Sequence, residues 1–109
     1  MSDAETILAR DISRDQLVAE LKALKPAFAA DGVAHMVLFG SRARGDHRPD
    51  SDVDLMIDLV PGHKFSLVEM SGIALTVADE IGLAGNVFLR RSADAELVEE
   101  AGRDGIPVF

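Results

Sequence analysis

Two apolar runs joined through a glycine-serine pair constrain this chain more than any other feature. Val37-Leu38-Phe39 is continuously apolar up to Gly40-Ser41, and after ten intervening residues Asp52-Val53-Asp54-Leu55-Met56-Ile57 opens a second apolar-rich run. Short apolar runs bounded by turn residues are the pattern of buried strands. The segment is therefore expected to fold as strand, turn, loop, strand, with strands over 34–39 and about 52–60. Pro49-Asp50 favours a turn before the second strand, and Pro61-Gly62 stops it.

The flanking sequence supplies helices. Ser13-Arg14-Asp15-Gln16 has the form of a capping box, and Leu17, Leu21, Leu24 and Phe28 follow at spacings of four, three and four, which predicts a helix over about 14–30 closed by Asp31-Gly32. A second capping box, Ser66-Leu67-Val68-Glu69, opens a run in which Leu67, Met70, Ile73, Ala74, Val77 and Ile81 keep to one helical stripe before Gly82. A third strand is expected over 86–90, a helix capped by Ser92 over about 93–102, and an apolar tail from Ile106 to Phe109. The order α-β-β-α-β-α implies a small mixed sheet with helices packed against it, in the α+β or α/β range. A chain of 109 residues, 48% of them hydrophobic, is expected to form one domain over 1–109 with a single core.

Charge and composition narrow the function classes. The net charge of −8 repels polyanions, so duplex nucleic acid is a poor candidate for a primary ligand. Locally the balance reverses: Arg42, Arg44, His47 and Arg48 crowd the segment between the serine and the aspartates, which suits a compact phosphate ligand better than a long one. The absence of cysteine excludes disulfides, thiolate metal sites and cysteine catalysis. No apolar run reaches the roughly 18 to 20 residues of a membrane span, and Met1-Ser2-Asp3-Ala4-Glu5 lacks the basic and apolar regions of a signal peptide, so a cytoplasmic protein without membrane contact is expected.

The chemistry concentrates on the second strand. Side chains alternate faces along a strand, so Asp52 and Asp54 share a face with Cα atoms roughly 6.6 Å apart. Two carboxylates at that spacing can ligate one hard cation or bracket two, and magnesium, which takes oxygen ligands and completes its shell with water and phosphate, is the natural choice. Solvated aspartates on an exposed edge strand are the plainer alternative. Gly40 favours the metal site: it lets the backbone approach a ligand closely, while the amides of Ser41 and its neighbours and the Ser41 hydroxyl can donate to phosphate oxygens. Asp58 shares the face, yet lies about 13 Å from Asp54 along the strand, too far for a common metal. His35, His47 and His63 lack ligand spacing, and Glu96, Glu99 and Glu100 form the pattern of a solvated helix face.

Gly40-Ser41-Arg42-Ala43-Arg44-Gly45 followed by Ser51-Asp52-Val53-Asp54-Leu55 resembles the signature of the minimal nucleotidyltransferases (MNT) of the DNA polymerase beta superfamily, and the likeness extends loosely over most of the chain. The resemblance implies that Gly40 and Ser41 hold a nucleoside triphosphate, ATP or another, that Arg44 braces the loop or meets phosphate, and that Asp52 and Asp54 are the catalytic ligands of Mg2+. It also implies transfer of AMP to an acceptor hydroxyl, on a tyrosine of a HEPN-domain toxin for which such small proteins act as antitoxin. The family pattern carries a third carboxylate on the strand after the second long helix, in a two-metal arrangement that helps activate the attacking hydroxyl. The equivalent stretch here is Asn86-Val87-Phe88-Leu89-Arg90, which puts Phe88 where the acid is expected, with Asn86 and Asp94 as the candidates to replace it. A non-catalytic module that neutralises a partner by contact is the alternative function, and direct processing of nucleic acid is a third class that the charge disfavours.

Overall fold

The structure, a computed structural model, describes residues 8–109, so the Met1 to Glu5 segment considered above for signal features lies outside the described residues. Helix α1 (Arg14–Ala23) starts at Ser13, whose side chain accepts from the Gln16 amide. The helix expected over 14–30 is divided: α1 ends at Leu24 and α2 (Lys25–Ala30) follows with Pro26 in its first turn. Proline has no N–H to give the preceding turn and its ring crowds the carbonyl four residues back, so the leucine spacing carries through while the helix does not. Strand β1 (Val33–Phe39) leads through Gly40 into a single helical turn, α3 (Ser41–Arg44), and strand β2 (Val53–Leu59) returns antiparallel to β1.

Helix α4 (Leu67–Ile81) carries the complete capping box between Ser66 and Glu69 and closes at Gly82. Its buried residues are Ile73, Val77 and Ile81. Leu67, assigned by sequence to that stripe, is instead exposed with Val68 and Leu75, because the stripe that meets the sheet begins one turn further on. Strand β3 (Gly85–Leu89) runs parallel to β2. A 3-10 turn over Arg90–Ser92 then separates it from α5 (Ala95–Asp104), so the helix begins two residues later than expected and Asp94, not Ser92, is its N-cap residue. The apolar tail adds a short edge strand, β4 (Ile106–Pro107), antiparallel to β1, a position where proline's missing donor faces away from the ladder.

The sheet order β3-β2-β1-β4 mixes one parallel with two antiparallel pairings. Alternation divides its residues between two unequal faces. One face, with Met36, Leu38, Val53, Leu55 and Ile57, packs on Leu17, Leu21 and Phe28 of α1 and α2 and on the buried residues of α4. The other carries a smaller cluster of Phe39, Met56 and Ala101, bordered by Val37, Phe88, Leu97 and Val98, so α5 covers only part of it. The polar ends of β2 and β3 stand on this second face. Among the described residues no helix is long and apolar enough to cross a membrane.

Candidate functional site

Parallel pairing of β2 with β3 and antiparallel pairing with β1 arrange the second face in rows. Asp54 lies between Phe39 on β1 and Asn86 on β3, and Met56 lies between Val37 and Phe88. The upper row is polar. Asn86 donates through its single side-chain nitrogen to both aspartates, at 3.0 Å to Asp52 and 3.1 Å to Asp54. Asp52 immediately precedes β2 and is exposed, whereas Asp54 is half-buried. Loss of water pushes the Asp54 carboxyl above the ordinary aspartate range. The Asn86 hydrogen bond pulls it back, while the negative charges of Asp52 and Glu100 add to the rise.

Gly40 closes the site from the β1 side. Its φ of 75° and ψ of −159° belong to a region that residues with a side chain avoid. A Cβ built there would overlap the Asp54 carboxylate, so the chain bends directly over the acid. The amides of Ala43 and Arg44 return to the Gly40 carbonyl at 3.1 Å each, which leaves the N–H groups of Ser41 and Arg42 heading the helical turn ahead of any intrahelical acceptor. Ser41, Asp52 and Asp54 are thereby brought to one end of the sheet.

The basic island does not survive as a unit. Arg42 is 1% exposed, and it donates to the carbonyls of Ser51 at 3.0 Å, Pro49 at 3.1 Å, Arg10 at 3.2 Å and Arg48 at 3.3 Å. It braces the loop that delivers Asp52, the part that sequence reasoning gave to Arg44. A pattern of charges along a loop carries no sign of which arginine turns inward. Arg44 is exposed and pairs with Asp46 at 3.1 Å and with Glu100 of α5 at 3.8 Å. Arg48 lies 3.7 Å from Asp50 at the surface, and the His47 ring meets the Ile12 carbonyl at 3.2 Å.

Two further assignments change. Phe88 does not stand beside the acids: it packs edge-to-face on Phe39 with ring centroids 5.7 Å apart, one row below them. The residue facing Asp54 across the parallel ladder is Asn86. Glu100, grouped by sequence with a solvated face, is partly buried against Arg44 and near enough for its charge to act on Asp54. Its place over the sheet depends on how α5 packs, which no local signal marks. Asp58 is committed elsewhere, to Arg90 at 3.0 Å, and Asp94 is exposed at the start of α5.

The donor set suits a hard divalent cation with few protein ligands. Two carboxylate side chains, one of them costly to ionise where it sits, are stabilised by a cation. Among the described residues no group of three or more acidic or imidazole side chains is placed to hold a metal. The rest of a coordination shell would come from water and ligand oxygens, the habit of magnesium. Two cavities of about 180 and 200 Å3 lie away from the aspartates, of which Asp52 is exposed to solvent.

Comparison with known proteins places the fold in a family. The family described as "Nucleotidyltransferase domain" matches residues 14–105. A solved structure assigned as a minimal nucleotidyltransferase superposes with a TM-score of 0.73 at 28% identity, over 88% of this chain and 96% of the other. A chain of a toxin-antitoxin complex crystallised with AMP-PNP superposes with a TM-score of 0.67 at 20% identity, over 83% and 72% of the two chains. A chain from the complex of a tri-AMPylated Shewanella oneidensis HEPN toxin with its MNT antitoxin gives 0.63 at 19% identity, over 86% and 71%. The last two likenesses speak for the fold alone. No curated protein matches the sequence.

Proposed function

The chain belongs to the nucleotidyltransferase domain family, and from that footing we propose that it binds ATP at the Gly40-Ser41 bend and transfers AMP to an acceptor hydroxyl. One observation carries the reading: the bend passes so closely over Asp54 that its glycine has no room for a side chain, which puts phosphate donors and acids at one spot. Ser41 would donate its hydroxyl and N–H to the triphosphate. Arg44 would exchange its exposed partner Asp46 for phosphate oxygens while staying beside the partly buried Glu100, a cheap exchange because surface ion pairs contribute only about 0–1 kcal/mol.

Asp52 and Asp54 would hold Mg2+. The ion, when bound, supplies charge neutralisation on the triphosphate and orients it. Asp54 supports this by its burial, which makes its negative charge more stable with a cation beside it. In the reaction the acceptor oxygen bonds to the α-phosphorus, the bond from that phosphorus to the bridging oxygen breaks, pyrophosphate leaves, and the hydroxyl's proton passes to solvent water. The exposure of Asp52 leaves access for a hydroxyl carried on another macromolecule.

The acceptor we propose is a hydroxyl on a partner HEPN-domain toxin, with this chain as the antitoxin. The signature around Gly40 and Asp52 and the family membership support that assignment. The test is incubation with labelled ATP, magnesium and the product of the neighbouring gene. Covalent label on that product is the expected outcome, and its absence at saturating ATP refutes transfer. A second reading, a nucleotide-holding module that neutralises a partner by contact, is favoured by the neutral residue facing Asp54. Tight association of the two proteins without label identifies it.

A further inference from the structure

Asn86 is a polar side chain that touches both aspartates, and its chemistry limits what they can hold. We propose that the site takes one divalent cation, which enters with the triphosphate, and that the neutral Asn86 supplies no ligand for a second on the acceptor side, where a carboxylate at this position would. The inference rests on the nucleotide reading above.

Ionised carboxylates only accept hydrogen bonds, so an asparagine facing two of them must present its nitrogen, one N–H to each. That nitrogen has no lone pair free for a metal. Turning the amide would present its oxygen, but at the cost of both hydrogen bonds and without adding negative charge. The amide does by hydrogen bonds what a bound cation would do by charge, holding two repelling acids together.

Charge counting points the same way. One divalent cation takes up Asp52 and Asp54, and a second would have triphosphate oxygens but no protein carboxylate of its own to fix it on the acceptor side. The neighbourhood offers no substitute. Asp58 is paired with Arg90, Glu100 with Arg44, and the next row of the face is Met56 and Phe88. No group of three acidic or imidazole side chains able to hold a metal occurs among the described residues. The acceptor hydroxyl therefore meets an amide, and the nucleotide complex lacks the group that would hurry it forward.

Counting cations tests this without reference to turnover. The full chain is saturated with α,β-methylene-ATP, titrated with Mn2+, and its bound Mn2+ counted by electron paramagnetic resonance, where two nearby ions also broaden each other's signal. The expected counts are one per chain for the wild type, one for Asn86→Ala, and two with mutual broadening for Asn86→Asp. Two ions in the wild type, or one in a folded Asn86→Asp, overturns the inference while leaving nucleotide binding intact. Failure of the wild type to bind the analogue at all refutes the nucleotide reading and the inference with it. The wild-type count decides the question even if Asn86→Asp does not fold.

Discussion

Replacing Arg42 with methionine isolates what holds the Asp52 loop in place. Methionine keeps most of the length and apolar stem of the side chain and removes the charge and every donor. Of the four carbonyls that Arg42 serves, those of Pro49 and Arg48 keep backbone donors, Arg10 at 2.8 Å and Ser51 at 2.9 Å. Those of Ser51 and Arg10 lose the partner Arg42 supplies. Each orphaned, partly buried acceptor costs up to about 1–3 kcal/mol. Against this, removing a guanidinium whose Nη1 is buried without a partner returns some desolvation cost. A net loss of about 3 kcal/mol is expected from these opposing parts. With an unfolding entropy of about 2.1 cal/mol/K per residue, that lowers Tm by roughly 13 °C. The assay is thermal and urea unfolding followed by circular dichroism, beside Arg44→Met, whose exposed ion pairs set an expected change within about 1 kcal/mol. Because Ser51 leads directly into Asp52, Mn2+ affinity should also fall in Arg42→Met although the side chain touches neither acid. A loss under about 1 kcal/mol with unchanged Mn2+ affinity would refute the idea that the carbonyl cage positions the loop.

Three other outcomes follow from the site. Asp52→Asn combined with Asp54→Asn should abolish magnesium-dependent ATP binding in calorimetry, and unchanged affinity would show that the pair is no metal site. Gly40→Ala forces a side chain into a positive-φ position and against Asp54, so it should cost about 2–4 kcal/mol in urea unfolding and weaken ATP binding; a neutral result would place Gly40 away from the acid. The raised Asp54 pKa has a definite sign: the folded state holds that proton more tightly than the unfolded chain, so ionisation at neutral pH opposes folding. Relief arrives as pH falls through the raised folded value toward the ordinary 3.8. Without divalent cation, Asp54→Asn should therefore exceed the wild type in stability at pH 7, with the gap narrowing on acidification; a gap independent of pH contradicts the assignment.

Local pattern made the central strands legible, because continuous apolar runs ending in glycine or proline leave few other conformations. The aspartate pair, the bend at Gly40 and the capping box at Ser66 are short-range features, and they occur in the structure where their spacing places them. The division of the first helix was also written locally, in Pro26, beneath a leucine pattern that runs through it. The third strand shows the limit. Side chains repeat every two residues along a strand, so sliding β3 by two leaves every residue on its face, and no alternation pattern distinguishes Asn86 from Phe88 as the neighbour of Asp54.

By itself the sequence determined that two acids share a strand face and that a glycine-serine bend precedes them, since both depend on backbone geometry over a few residues. Tertiary structure decided the rest. Pairing of β2 with β3 chose an amide to stand beside the acids, burial chose Arg42 over Arg44 as the loop's brace, and the packing of α5 brought Glu100 toward Asp54. Each is a meeting of segments far apart along the chain, where register and burial depend on the whole core and not on the residues nearby.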